Sequence, residues 1–349
     1  MGSFKLSFFV TILCLALAGL WGVSHGGLAA GIQAISIAAI LGVMEVSLSF
    51  DNAVVNASVL RNWNNFWQTL FLTVGVLVAV FGMRLLFPLL IVSETTNLSL
   101  IDVWDMATKT PDIYSHHLMA HHSEVSAFGG MFLMLVFLNF VLDDSKELHW
   151  LSWIEEKLAS LGKINAVAVF FALVILISIL GFVEENSKMA VMTAGIWGIL
   201  IYLGVDVVSH FLQAEEEGDP VVANVVRTGS VGGFLYLEVL DASFSFDGVI
   251  GAFAITKDVV LIMLGLAIGA MFVRSLTVYL VRKGTLDEYV FLEHGAHWAI
   301  GALALIMLSS MKVHVHEVVT GMIGVALILL SVWSSIQFRK NNPETVSVD

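Results

Sequence analysis

One cysteine in 349 residues, Cys14, removes intramolecular disulfides and any cysteine-rich zinc or iron–sulfur site from consideration. Oxygen and imidazole are the metal-binding groups that remain. Charge is also scarce: 13% of the chain is charged and 58% hydrophobic, with a mean hydropathy of +0.90, a balance that water-soluble globules do not approach. Among the charged residues the basic ones are the fewer, 16 Lys and Arg against 29 Asp and Glu, for a net charge of -13. That deficit argues against nucleic acid or anionic lipid as the main partner, because both select clustered Lys and Arg. Cations are the more natural clients. No H-E-x-x-H string occurs and neither Asp51 nor Asp247 follows a G-x-G, so the chain is not expected to be an enzyme or to need an organic cofactor.

What is present is long apolar sequence. A spanning helix needs about 20 such residues, and ten segments qualify: 6–24, 28–58, 66–92, 125–143, 164–183, 188–211, 229–256, 258–281, 295–312 and 317–338. The expected fold is all-α, a polytopic helix bundle of about ten spans in a single integral membrane domain, 1–349. The first segment, preceded by Lys5, has some features of a signal peptide; its length favours a retained helix. Lys and Arg in alternate loops number ten on the side of the termini and four on the other, which predicts both termini in the cytoplasm of a plasma (inner) membrane protein.

The chain repeats itself. Ser47-Leu-Ser-Phe-Asp51 aligns with Ser243-Phe-Ser-Phe-Asp247, and the same offset places Glu45 on Asp241. Gly75 and Arg84 in the next segment match Gly265 and Arg274, and His122 and Gly129 match His294 and Gly301. Repeat one covers 28–143 and repeat two 229–312, with central spans at 164–211 and a last span at 317–338. Five spans separate the first helices of the two units, so the repeats are predicted to be antiparallel, an arrangement recurrent in secondary transporters.

Five acids, Glu45, Asp51, Glu238, Asp241 and Asp247, lie inside these apolar segments. A carboxylate at the bilayer centre costs roughly 2.5 to 3.5 kcal/mol by insertion scales, so it is kept where it faces a bundle interior, a partner or an ion. On a helix Glu45, Ser49, Asn52 and Asn56 form one polar stripe, and Glu238, Asp241 and Ser245 form another. Asp51 and Asp247 stand about a hundred degrees away, which requires a broad polar sector or a helix interrupted beside Phe50 and Phe246. Gly248 and Gly251 favour unwinding in the second copy. Hard divalent cations take six or more oxygens, and Glu45, Asp51, Asn52, Glu238, Asp241 and Asp247 are the candidate set. Arg84 and Arg274 are read as charge-balancing, or as snorkelling to a membrane face. His116, His117, His121 and His122 form a weaker, secondary candidate for a softer metal; the alternative is a solvated polar loop.

Together, Met44-Glu45-Val-Ser-Leu-Ser-Phe-Asp51-Asn52-Ala and Leu237-Glu238-Val-Leu-Asp241-Ala-Ser-Phe-Ser-Phe-Asp247-Gly resemble the paired signatures of the TerC family of integral membrane proteins. The likeness covers roughly residues 30–143 and 229–338. The family belongs with LysE-type exporters and is associated with tellurium resistance and manganese homeostasis, so the resemblance implies metal ion efflux, with Glu45, Asp51, Glu238, Asp241 and Asp247 at the site. The sequence departs from the pattern at Gly248 and Ile250, where serine and proline are frequent, and in a histidine-bearing insertion at 93–124.

The expected function is therefore export of a divalent metal cation as substrate, manganese favoured, by alternating access, with protons as counter-ion and the lipid bilayer as surroundings. A non-transporting scaffold or tellurium-type stress sensor, or an intramembrane enzyme using paired aspartates, are the alternatives.

Overall fold

The structure, a computed structural model, describes residues 4–146, 148–162, 166–213, 229–283, 289–313 and 315–341, apart from the side chains of residues 206, 208–213, 246, 247, 317 and 318. Among the described residues every regular element is helical. The first, α1 (Lys5–Leu48), would be about 66 Å long if straight, twice the hydrocarbon thickness. It is instead folded back at Gly26 and Gly27, the latter at φ 73° and ψ -167°, a conformation that needs glycine. Small residues bring the two arms together: a Cβ on Gly22 would lie 2.5 Å from the Ala30 carbonyl oxygen. This is the close small-residue packing of membrane helices.

The second arm stops at Ser49, and α2 (Phe50–Leu60) starts immediately after it. The interruption expected beside Phe50 is therefore present in the first acidic motif, whereas the helix runs on unbroken past Phe246, Gly248 and Gly251 in the second. Gly248 serves packing instead: a Cβ there would come 2.7 Å from Glu45 Oε2.

Residues 65–96 form one apolar rod that starts as α3 (Asn65–Leu70), widens into π-helical turns at Phe71–Gly75 and Val78–Leu86, and ends as α4 (Phe87–Thr96). Pro88 has no amide to offer the carbonyl one turn back, and the widened turns end just before it. The insertion at 93–124 is not a loop. It folds into α5 (Leu100–Lys109) and α6 (Pro111–Ala120), which bury Val103, Ala107, Tyr114 and Leu118 among Val249, Phe253 and Ile262. An Asp112–Lys257 ion pair ties this cap down.

The remaining helices are α7 (His122–Leu142), α8 (Ser152–Gly162), α9 (Val167–Leu180), α10 (Lys188–Gln213), α11 (Val231–Ile255), α12 (Val259–Lys283), α13 (Leu292–Ser310) and α14 (Glu317–Asn341). Their packing is crossed. The arms of α1 lie on α12, α11 lies on the π-widened rod, and α7 lies on α13. The first arm of α1 is held to α12 by Ser7, whose hydroxyl donates to the Met271 carbonyl oxygen at 2.6 Å, and by Phe8 edge-on to Phe272.

Among the described residues six helices are long and apolar enough to cross a membrane: Lys5–Leu48, Asn65–Thr96, His122–Leu142, Lys188–Val205, Val259–Lys283 and Val319–Asn341; the bent pair α8 and α9 makes up to seven. Phe8, Ile12, Leu28, Phe170, Ile177, Met189 and Trp333 point outward. A water-soluble protein does not present so much contiguous apolar surface. The chain is an integral membrane protein.

Candidate functional site

The two acidic motifs meet inside the bundle, but their acids take different partners. Glu45, near the end of the second arm of α1, is 1% exposed; its Oε1 accepts from the guanidinium of Arg84 and, at 2.9 Å, from Ser49 Oγ. The stem of Glu45 passes so close to α12 that a Cβ on Gly269 would meet it at 2.3 Å. Arg84 projects from the π-widened turn and also donates to the Ala79 carbonyl oxygen at 3.0 Å. The two opposite charges offset each other, although Glu45 Oε2 and Arg84 Nε are buried without a hydrogen-bond partner.

Asp241 on α11 accepts a 2.6 Å hydrogen bond from Asn52 Nδ2 on α2, and Ser245 Oγ stands 3.5 Å from its other oxygen. Arg84 is within electrostatic reach of Asp241 without touching it. Glu238, one turn earlier, has both carboxylate oxygens buried and without a hydrogen-bond partner. Gly75 makes room for it, since a Cβ there would lie 2.4 Å from Glu238 Oε1.

Glu238 and Asp241 line a cavity of about 30 Å³ together with Asn56, Arg84, Arg274 and Thr277. One water or one small ion needs roughly half that volume. The Arg274 guanidinium donates through Nε to the Leu72 carbonyl oxygen and, among the described residues, not to an acid.

Of the predicted set, then, the structure brings Glu238, Asp241 and Asn52 together, with Glu45 next to them but committed to Arg84. Asp51 is buried yet faces α14: its Oδ2 lies 3.2 Å from a Cβ built on Gly324, and its Oδ1 accepts from the Asn52 amide. It does not line the cavity. The side chain of Asp247 lies outside the described residues. Among the described residues no three His, Cys, Asp or Glu side chains stand close enough to share a metal ion.

The histidines do not converge either. His121 Nδ1 pairs with Glu124 at 2.5 Å, His122 Nε2 contacts Ser126 Oγ at 3.3 Å, and the His116 and His117 rings stand edge to face. Placing them on two helices, α6 and the start of α7, turns neighbouring rings in different directions. A Gly22-Val-Ser24-His-Gly26 string matches G-x-S-x-G, but it forms the end of a helical arm and lacks the strand-to-helix elbow that exposes a nucleophile. Ser24 Oγ donates to the Trp21 carbonyl oxygen.

Sequence reasoning missed one buried acid outside the two motifs. Glu155 on α8 is fully buried; it accepts from Trp298 Nε1 at 2.9 Å and lies 3.5 Å from His294 Nε2 and 4.0 Å from Lys146 Nζ. Burial pushes the Lys146 ammonium below its ordinary pKa, against the pull of Glu155. The backbone amides of Trp150 and Leu151 also point at Glu155, from just before the start of α8. Glu155→Gln should cost about 3 kcal/mol, because it strands Lys146 without its buried counter-ion. It should also open residues 148–162 to proteolysis. An unchanged melting temperature and cleavage pattern would show that α8 is held by other contacts.

Buried carboxylates around an ion-sized cavity, in a bundle of outward-apolar helices, define a membrane protein with a polar intramembrane site. The chain belongs to the family described as "Protein of unknown function (DUF475)", whose profile matches residues 50–342. It is 32% identical over 117 residues to the "Uncharacterized membrane protein YceF" of Bacillus subtilis (strain 168), an alignment covering 32% of this chain and 44% of that protein. The chain thus matches less than half the length of this curated relative. No solved structure matches.

Proposed function

We propose that this chain is a transporter that exports a divalent metal cation, manganese first, by alternating access at Glu238 and Asp241. The observation that carries the reading is Glu238, a buried carboxylate without a partner on the wall of an ion-sized cavity. An unneutralised carboxylate at this depth is costly unless a cation visits it. Asp241, Asn52 and Asn56 add oxygens of the kind hard cations take. Glu45, Asp51 and Asp247, in the same two motifs, are assigned to completing the ligand set when the bundle opens to its other side. Arg84 and Arg274 balance charge. Since a carboxylate must be deprotonated to ligate a metal, protons are the natural counter-ion.

The crossed packing supports an inverted repeat. Gly75 touches Glu238, while Gly265, its counterpart in the second unit, touches Leu41 beside Gly42, the counterpart of Glu238. Gly129 meets Met307, and its counterpart Gly301 meets Phe137. Such exchanged contacts are what a pseudo-two-fold axis generates. The ten-span reading counts the two arms of α1 separately and adds the bent pair, α11 and α13. Three acids in α11 and the Glu293, His294 and His297 cluster in α13 lower the hydropathy of those two. The resemblance to the TerC family supports metal efflux, and the ten-to-four distribution of Lys and Arg supports a plasma membrane protein with cytoplasmic termini.

A scaffold with a satisfied polar core is the second reading, favoured by the closed Glu45–Arg84 pair. Inside-out membrane vesicles separate the two. An exporter accumulates radioactive manganese above empty-vector vesicles, and the variant with His116, His117, His121 and His122 all changed to alanine does so equally, because manganese gains most from oxygen ligands. Absence of uptake by the wild type would leave the scaffold; loss of uptake in the alanine variant alone would move the site to the cap.

A further inference from the structure

A second chamber, of about 210 Å³, lies against the other side of Glu238. Its walls are Val78, Phe87, Phe128 and Val239, and its polar members are Glu238 and Ser243. The Ser243 hydroxyl is already used, donating to the Val239 carbonyl oxygen at 2.9 Å. Val78 and Leu235 border the chamber and are 39% and 40% exposed on the apolar outer surface, so it is reached from the lipid side.

A metal ion gains nothing here, because hard cations need a shell of oxygens. Apolar walls with one placed charge are the usual make-up of a small-molecule pocket, and an apolar cavity of about 150 Å³ already admits benzene. The volume therefore suits a body of roughly benzene to cyclohexane size with a short substituent. Glu238, more than nine-tenths buried with both oxygens unpartnered, is the one ionisable group in the wall and selects a positive head.

We infer that this chamber binds a small lipophilic ammonium cation, its apolar body between Phe87 and Phe128 and its ammonium group at Glu238. The chamber shares Glu238 with the ion-sized cavity and none of its other walls, so in metal-free buffer its occupancy does not depend on which metal, if any, is carried.

The test uses the full chain in detergent micelles and metal-free buffer, with cyclohexylmethylammonium as probe and the neutral cyclohexylmethanol as its isostere, both followed by calorimetry. The ammonium should bind about tenfold more tightly than the alcohol. Glu238→Gln should bring it down to the alcohol's level. Ala242→Leu, which fills the chamber from a wall residue outside the ion cavity, should weaken both compounds while leaving manganese binding intact. Equal binding of ammonium and alcohol by the wild type would reduce the chamber to an unselective apolar cleft. Unchanged ammonium binding in Ala242→Leu would place the site elsewhere. Either result overturns the inference, and neither touches the vesicle assay, so the two readings fail separately.

Discussion

Asp241→Asn and Glu238→Gln should each lower manganese flux by about 100-fold, the equivalent of about 3 kcal/mol of ion binding, in a protein that still folds and inserts. The amides keep the size of the side chains. At position 241 the amide oxygen can still accept from Asn52 Nδ2, so the α2–α11 contact at 2.6 Å survives. What is lost is the negative charge that offsets dehydration of a hard cation, and a cavity of about 30 Å³ has no space for the ion's own water shell to make up the difference. Because Glu238 has no partner to lose, Glu238→Gln should leave stability unchanged or improved. Flux and melting temperature measured on the same preparations check both halves. Wild-type flux in both variants would remove these two acids from the transport path.

The class of protein, and Glu238 and Asp241 as acids inside the bundle, were legible in the sequence because both depend on local facts. Mean hydropathy gives the bilayer, and a carboxylate within an apolar run is conspicuous whatever surrounds it. The repeat made Arg84 and Arg274 legible as well. Which acid takes which partner was not legible, since it depends on close approaches between segments far apart in the chain: Glu45 slides past Gly269, and Glu238 fits against Gly75. The glycines that permit these approaches look in sequence like places to unwind, and so Gly248 suggested a break where the structure packs a carboxylate.

The interruption at Ser49 stands beside Phe50, where the misfit of Asp51 with the polar stripe had placed it, but the partners of Glu155 were hidden for another physical reason. Glu155 sits on a short amphipathic helix between spans, where an acid is expected to face water. Its burial comes from His294 and Trp298 on α13, more than a hundred residues later, and no local periodicity records that contact. The cap was misjudged for a similar reason: its histidines drew attention, while Val103, Ala107, Tyr114 and Leu118, which hold it to the bundle, are too widely spaced to read as a span.

Glu45→Gln should be the most destabilising single change in the site, costing about 3 to 5 kcal/mol, since it leaves the Arg84 guanidinium buried and uncompensated. Arg84 is 3% exposed in its side chain, and its Nε already lacks a partner. After the substitution it keeps the Ala79 carbonyl oxygen and the distant field of Asp241, neither of which replaces a contacting carboxylate. Removing both charges in Glu45→Gln/Arg84→Met should recover most of the loss, because no charge is then left buried without its counter-ion, and the amide oxygen at position 45 can still accept from Ser49 Oγ. Detergent-resolved thermal unfolding of the wild type, the two single variants and the double variant forms a complete cycle. A Glu45→Gln protein as stable as wild type, or a double variant weaker than either single one, would sink the account of the pair. The double variant also separates two roles for Glu45. If the pair only neutralises charge, the stable double variant transports manganese; if Glu45 leaves Arg84 to ligate the ion in the opposite-facing conformation, the same stable protein is inert.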